Sequence, residues 1–559
     1  MKHAKVLLAL LLVTSIAFGQ KLPAGPQVVT FHSDVDDTEQ PYGLYIPKNF
    51  DANKKYPLVV MLHGAGSNHR LELRRVFGKS NAPGETDVEA SLVFPEFKDV
   101  DYIVVSPFAR GTMGYQGVAE KDVMDVLADV KKRFNNIDED RTYLTGLSMG
   151  GGGTLWIGLT RPDLWAAIAP VCPAPPAGTE ELAGNALNYP AWFHHGDKDQ
   201  AVPVAVSRDW TKKLKDLGST VEYTEYPGVN HNSWENAYAN AQIFDWFSKF
   251  KRNPFPDRVR YATHQYKYNK AYWVTIDYVI PGVLAEIDTK FTGPNTLEVT
   301  TAHLVAFTLN LAGHPQYKAG QPLTVTIDGK KIKTQTADKV SFNMVKGKKG
   351  SEWVNAKFEP SATAKKAGAE GPVSAATSSR HVYVYGTAGN PSEEELKARR
   401  EVAEAAANWS VYRGEFLGRI MVFPRVLADK DVRPSDFEAA NLVLFGTKET
   451  NTLIEKYSAD LPLELNASAV KTHGLIYVVP VNNHYVVVNS GLPWWTSTKP
   501  NQGRFVPSSL QAIGGLKDFL LFQGGNDVKV AEGYFTNDWT TPDEAKTAIT
   551  QSGVATVKK

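Results

Sequence analysis

Between about Val28 and Phe250, short apolar runs alternate with amphipathic stretches. The runs are PLVVMLHG, DYIVVSP, RTYLTG, AAIAPVC, AWFHHG and VEYTEYPG. Between them, EKDVMDVLADVKKRF places Val123, Leu127, Val130 and Phe134 on one helical stripe. Pro203 opens a second helix through Leu217, with Gly218 where a C-terminal cap belongs, and ENAYANAQIFDWFSKF predicts a last one before the Pro-containing linker KRNPFPD. Strands that alternate with helices predict a parallel α/β sheet over residues 20–254.

Over 255–348 the period changes to two. AYWVTIDYV, LAEIDTKF, TLEVTT, LVAFTLNL and LTVTIDGKKIKT read as strands of a small β-sandwich, with a hairpin turn at Asp328-Gly329. The small, polar SATAKKAGAEGPVSAATSS reads as a surface loop or linker. Beyond it, βα units return and predict a C-terminal α/β unit of flavodoxin-like character over 371–543, with Ser392 and Glu395 at capping-box spacing. Its strand–Gly-Thr–helix turns offer a helix N-terminus to a phosphate. With neither GxGxxG nor a Walker lysine present, they read as plain tight turns.

The N-terminus adds a targeting signal. Lys2 and Lys5 precede an apolar stretch from Val6 to Ala17, and Ala17 and Gly19 are the small residues expected before cleavage at Gln20. Residues 1–19 therefore read as a signal peptide, and the mature chain as secreted or periplasmic. The stretch falls short of the roughly 20 residues that span a bilayer, so no stable membrane insertion is expected after cleavage.

Composition mostly excludes. At 559 residues, 43% hydrophobic and 22% charged, the chain is neither disordered nor a polytopic membrane protein. Lys+Arg 61 against Asp+Glu 60, with no basic run among aromatics, gives nucleic acid no purchase. Cys172 is the single cysteine, so no intramolecular disulfide forms, and its apolar surroundings predict a buried, inert thiol. His194 and His195 are neighbours on a strand and point to opposite faces, and no HExxH is present, so no metal site is expected. Trp494-Trp495 reads as a packed loop pair.

The chemistry is concentrated in Gly146-Leu147-Ser148-Met149-Gly150, which follows the strand RTYLT and precedes the helix GGGTLWIGL. A serine at such a strand–turn–helix junction projects its hydroxyl clear of the sheet, and the flanking glycines admit the close backbone. A serine nucleophile needs a base, and the base an orienting carboxylate. Asp199 and His231 follow in that order, each just past a strand, where open α/β sheets build their sites. Asp197 reads as a turn former. An oxyanion hole requires backbone donors. His63-Gly64-Ala65-Gly66 after PLVVMLHG supplies the Ala65 N–H, to pair with that of Met149, and His63 reads as a loop anchor.

Together LHGAG, TGLSMGG, HGDKDQAVP and GVNHNSW resemble the α/β-hydrolase superfamily over the first 230 residues or so. The nearest likeness is to secreted bacterial feruloyl, acetylxylan and polyhydroxyalkanoate depolymerase-type esterases, with the prolyl oligopeptidase catalytic domain as a neighbour. NKAYWVTID through NLVLFGT is similar to the C-terminal halves of multidomain hydrolases labelled only peptidase-like. The resemblance implies Ser148 as nucleophile, His231 as base, Asp199 as its orienter, and no metal or organic cofactor. It implies carboxylic esters as substrates, polysaccharide-linked or otherwise bulky, since the segment after Cys172 is too short for a large lid. Phe108, Tyr115 and Trp234 are candidates for the substrate pocket. A serine exopeptidase and a non-catalytic binding protein stay open as alternatives, and nothing fixes the oligomeric state.

Overall fold

The computed structural model describes residues 22–347, 350–409, 420–497, 507–524 and 528–558. The predicted signal peptide lies outside the described residues. No helix among the described residues is long and apolar enough to cross a membrane.

The first eight strands are β1 (Gly25–Ser33), β2 (Thr38–Ile46), β3 (Tyr56–Leu62), β4 (Ile103–Pro107), β5 (Ile137–Leu147), β6 (Ala167–Val171), β7 (Ala191–Gly196) and β8 (Val221–Tyr226). They form one sheet in the order β1-β2-β4-β3-β5-β6-β7-β8, antiparallel through β1, β2 and β4 and parallel from β4 to β8. Every residue of β3 is buried, because helices cover both faces. Leu58, Val60 and Leu62 belong to one apolar cluster and Val59 and Met61 to another. This two-sided burial is why the parallel strands read as continuous apolar runs.

The helices here are α1 (His69–Val76), α2 (Asp87–Ala90), α3 (Val118–Arg133), α4 (Met149–Thr160), α5 (Ala205–Asp216), α6 (Trp234–Ala237) and α7 (Gln242–Phe247). The predicted stripe of α3 is buried at Val123, Leu127 and Val130, and Gly218 beyond α5 takes φ +86°. The last predicted helix is not continuous. Asn240 and Ala241 sit at φ 54° and 57°, which splits it into α6 and α7. At the break, the Tyr238 carbonyl and Asn240 amide pack so close to Gly78 that a Cβ there would lie 2.5 Å from Tyr238 O.

The middle region is a sandwich of two five-stranded sheets. Its strands are β9 (Arg258–Thr263), β10 (Lys270–Ala271), β11 (Val274–Tyr278), β12 (Ala285–Gly293), β13 (Thr296–Ala302), β14 (Ala306–Asn310), β15 (Thr324–Ile327), β16 (Lys330–Ile332), β17 (Lys339–Gly347) and β18 (Gly350–Val354). In β12, Ala285, Ile287 and Thr289 face inward and Glu286, Asp288 and Lys290 outward. Asp328 and Gly329 both have positive φ, 48° and 78°, and join β15 to β16 in the predicted hairpin.

The C-terminal sheet contains β19 (His381–Tyr385), β20 (Arg425–Ala428), β21 (Asn441–Phe445), β23 (His473–Val481), β24 (His484–Gly491), β25 (Phe519–Gln523) and β26 (Lys529–Gly533); β22 (Leu463–Leu465) pairs separately near the C-terminus. Its order is β20-β19-β21-β24-β23-β25-β26. Only β20, β19, β21 and β24 run parallel in the flavodoxin-like manner, and the remaining pairings are antiparallel. The reversal follows from the two-residue turn Asn482-Asn483, with φ 52° and 66°, which is too short for a crossover to a parallel strand. At Thr387 the donors of one Gly-Thr turn are taken by a carboxylate of the chain itself. The Thr387 N–H and hydroxyl donate to Asp429 Oδ1 at 3.0 and 2.6 Å, while the N–H and hydroxyl of Thr452 reach Asp429 Oδ2 at 2.7 and 3.0 Å.

The stretch read as a linker is docked. Lys365 makes a buried ion pair with Asp518, and the Glu370 carboxylate accepts from the N–H groups of Tyr266 and Lys267 in the sandwich. Small polar composition reports exposed backbone, but here two charged side chains find buried partners.

A second seam centres on Glu120 of α3, which is 0% exposed. It accepts from Arg161 at 2.6 Å, Trp156 Nε1 at 3.0 Å and the Tyr268 hydroxyl at 2.5 Å, with Lys267 Nζ at 3.0 Å. Burial alone would raise its pKa, but the Arg161 and Lys267 charges and these hydrogen bonds outweigh it and hold the carboxyl down to about 2. An unfolded glutamate titrates near about 4.3, so this stabilisation is complete above that pH and is lost as pH falls through the folded value. Glu120→Gln is therefore expected to flatten the fall of the urea midpoint between about pH 5 and pH 2.5, measured by fluorescence.

Candidate active site

Ser148 sits between the end of β5 and the start of α4 at φ 54° and ψ −116°. A non-glycine residue there stores about 1–3 kcal/mol of backbone strain, which its surroundings must hold. They do so with three hydrogen bonds: Ser148 N–H to Val171 O at 2.9 Å, and Gly152 and Ala174 N–H to Ser148 O at 2.9 and 3.0 Å. Both flanking glycines are required. A Cβ at Gly146 would lie 2.4 Å from Gly150 O, and one at Gly150 would lie 2.1 Å from Leu62 O.

The loops after β7 and β8 bring Asp199 and His231 to this serine. His231 Nε2 is 3.0 Å from Ser148 Oγ, and His231 Nδ1 is 2.7 Å from Asp199 Oδ2. A carboxylate only accepts, so Nδ1 carries the proton and Nε2 is free to accept from the Ser148 hydroxyl. The Asp199 side chain is fully buried, whereas His231 is 28% exposed. Burial works against the Asp199 charge, but the His231 bond and the N–H groups of Val202 and Ala201, at 2.9 and 2.8 Å, outweigh it and keep the carboxyl below its usual range.

Sequence reasoning missed His195. Its Nε2 faces two acceptors, Asp199 Oδ2 at 3.1 Å and Val202 O at 3.0 Å, so it must be a donor, and its Nδ1 takes the Ser207 hydroxyl at 2.7 Å. Burial lowers its pKa and keeps the ring neutral. His195 thus fills the last acceptor position on Asp199 and fixes the carboxylate from behind. The available signal was HHGDKD, which places a histidine four residues before the aspartate. Hydrogen bonds to charged groups are worth about 1.5–3 kcal/mol, so His195→Leu is expected to lower kcat by roughly 10- to 100-fold. His195→Gln, which retains a donor, should recover much of the loss in the same steady-state assay.

The loop after β3 runs beside the serine: a Cβ on Gly64 would lie 3.6 Å from Ser148 Cβ. Three bonds from the segment 108–115 anchor it. His63 Nε2 bonds to Phe108 O at 2.8 Å, Gly66 N–H to Thr112 Oγ1 at 2.8 Å, and the Tyr115 hydroxyl to His63 O at 2.9 Å. Neither the Ala65 nor the Met149 N–H has a protein acceptor among the described residues.

Of the three pocket candidates, Tyr115 is 1% and Phe108 9% exposed. Tyr115 packs under α4 against Gly153 and offers a substrate almost no surface, and Phe108 packs between His63 and His69 and offers little. Trp234 is half-buried, meets the His231 ring edge-on at 5.4 Å, and carries the Arg75 guanidinium 5.1 Å above its own ring. The segment 179–188 does not cover the serine. It forms a 3-10 helix whose Asn185 bonds to Leu159 and Ala262.

Cys172 is buried beneath the site, and burial pushes its thiol up to about 12. Donor atoms of Cys172, Asp199 and His231 lie within 4.8 Å of one another, the one group among the described residues with metal-ligand spacing. All three are engaged, since the thiol meets His231 O at 3.5 Å and the other two bond to each other. His194 turns away from His195 to the Tyr226 hydroxyl at 2.8 Å, and Trp494 is 1% exposed.

The sheet order and the serine at the turn into the helix give the N-terminal part of the chain an α/β-hydrolase fold. Residues 121–244 match the phospholipase/carboxylesterase family. Dipeptidyl-peptidase 5 of Aspergillus oryzae is 22% identical over 280 residues, 40% of this chain and 36% of that protein. A bifunctional acetylxylan esterase/xylanase of Neocallimastix patriciarum is 25% identical over 206 residues, 36% of this chain and 27% of that one. The chain thus spans about a quarter to a third of the length of these curated relatives. Among solved structures, a thermostable esterase is 30% identical over 41% of this chain and 63% of its own, with a TM-score of 0.32. A ferulic acid esterase from Anaeromyces mucronatus in complex with ferulic acid is 18% identical over 42% of this chain and 92% of its own, with a TM-score of 0.31.

Proposed function

We propose that the protein is a serine hydrolase of carboxylic esters, exported after removal of residues 1–19. The observation that carries this reading is the continuous hydrogen-bonded chain from Ser148 Oγ through His231 to ionised Asp199. Ser148 attacks the ester carbonyl carbon while His231 Nε2 takes its proton, and Asp199 stabilises the resulting imidazolium. The carbonyl oxygen becomes an oxyanion held by the Ala65 and Met149 N–H groups. Collapse expels the alcohol, protonated by His231. Water, deprotonated by the same histidine, then releases the acid and restores the serine.

Ser148 and His231 are partly exposed, and the 179–188 helix turns toward the sandwich, so the site admits bulky or polymer-linked esters. A second reading, a serine exopeptidase, is favoured by the dipeptidyl-peptidase relatives. The test compares wild type on p-nitrophenyl acetate, methyl ferulate and proline-containing aminoacyl-nitroanilides. Ester turnover far above amide turnover supports the proposal. Comparable amide turnover moves the protein to the peptidase reading, and silence on all three removes both.

A further inference from the structure

We propose that the C-terminal unit, through residues 420–423, holds the oxyanion loop in its working shape, with Arg110 as the positioning residue. The idea rests on the ester-hydrolase reading above and gives the C-terminal half a part in it.

The oxyanion loop is anchored by the segment 108–115, and that segment has a strained backbone. Ala109 and Arg110 both lie at positive φ, 47° and 61°, where side chains other than glycine are disfavoured. Two consecutive residues of this kind persist only where the surroundings over-determine them. Within the hydrolase unit the Arg110 side chain is fully buried. Its Nε bonds to Asp122 at 2.7 Å, and its Nη1 and Nη2 bond to Asp36 at 2.7 Å and the Ser33 hydroxyl at 2.5 Å.

The remaining restraint comes from more than 300 positions along the chain. Met421 N–H donates to Arg110 O at 3.2 Å, and Arg110 Nη1 donates to Met421 O at 3.2 Å, so residue 421 grips residue 110 by both backbone groups. Ile420 pairs with Gly111 as an antiparallel bridge, and Phe423 N–H donates to the same Asp36 oxygen at 3.0 Å. Ile420 and Val422 pack with Val35 and Val118 in a small apolar cluster that belongs to this seam alone. The restraint therefore runs from 420–423 to Arg110, then to the Phe108 carbonyl and Thr112, and finally to His63 and Gly66 on either side of Ala65. A loosened clamp leaves the Ala65 N–H less well aimed at the oxyanion. Binding of the ground-state ester changes little, because the lost interaction is made mainly in the transition state.

The test uses the full chain with Met421→Pro, which deletes the N–H that reaches Arg110 O, and Arg110→Lys, which keeps the charge but not the fork. Each is assayed on p-nitrophenyl acetate and titrated with an aryl trifluoromethyl ketone, whose hemiketal with Ser148 places an oxyanion at the same donors. The expected result is a fall in kcat of about tenfold or more with KM within about twofold, and a parallel rise in the ketone Ki by the same factor. A variant that only folds poorly loses active molecules but keeps the wild-type Ki, so Ki measured on the surviving fraction decides even for a damaged protein. An unchanged Ki in both variants overturns the clamp. Equal ester turnover by wild type and Ser148→Ala overturns the hydrolase reading, and the clamp with it.

Discussion

Ser148→Ala is expected to lower kcat for p-nitrophenyl acetate by about 10⁵- to 10⁶-fold and to leave the thermal midpoint within a few degrees of wild type. The expectation rests on cooperation within the site. Once Ser148 is gone, His231 has nothing to deprotonate on the enzyme, and only the backbone donors and substrate binding remain. Residual catalysis of about 10³–10⁴ over the uncatalysed reaction is what such a remnant supplies. Alanine also relieves nothing structural, because the three bonds that hold this turn are made by backbone atoms. Burst kinetics on wild type, with one equivalent of p-nitrophenol released per active site, check that the acyl group rests on this serine. A mutant that keeps more than a hundredth of wild-type kcat would remove Ser148 from the mechanism.

Asp199→Asn is expected to have the next largest effect, about 10⁴-fold in kcat. The reason lies in proton bookkeeping. Oδ1 accepts from two backbone N–H groups, so the amide nitrogen of an asparagine must take the Oδ2 position, which faces His231 Nδ1 and His195 Nε2. A donor there turns the His231 ring to the tautomer that protonates Nε2, and Nε2 can no longer accept from the serine. The pH profile of wild type separates this residue from the base. The Asp199 carboxyl is held below the usual carboxylate range by the His231 bond and the Val202 and Ala201 N–H groups, against the effect of burial. An acidic limb in kcat/KM at or above that range therefore belongs to another group, and its disappearance in Asp199→Asn would contradict the assignment.

Much of the N-terminal fold is legible because parallel strands buried on both faces are largely apolar, and the six apolar runs are six of the eight strands. The two missed strands, β1 and β2, lie at the antiparallel edge, where β1 is buried only at Phe31 and Ser33 and the polar Thr38, Glu39 and Gln40 precede the buried half of β2. Ser148, Asp199 and His231 were legible for a different reason: each is tied to a strand end by short-range sequence. Supporting contacts were not: His195 depends on the fold of the loop that brings Val202 O and Ser207 to its ring, and Arg110 on a carbonyl at position 421. Sequence also does not register whether an aromatic near the site packs behind the oxyanion loop, as Phe108 and Tyr115 do, or in front of it. The split between α6 and α7 turns on two left-handed residues that helical periodicity does not register.

In the C-terminal sheet, Asp429 ties the loops after β19 and β21 through four bonds from Thr387 and Thr452, the kind of donors that also hold phosphates. A ligand carried on the chain itself has an effective concentration far above the millimolar levels of free anions, because it has no translational freedom left to lose. A nucleotide or inorganic phosphate competing for those donors must therefore displace a resident that never diffuses away. The unit supplies its own anion, and the loops after β19 and β21 are tied together whether or not any small molecule is near.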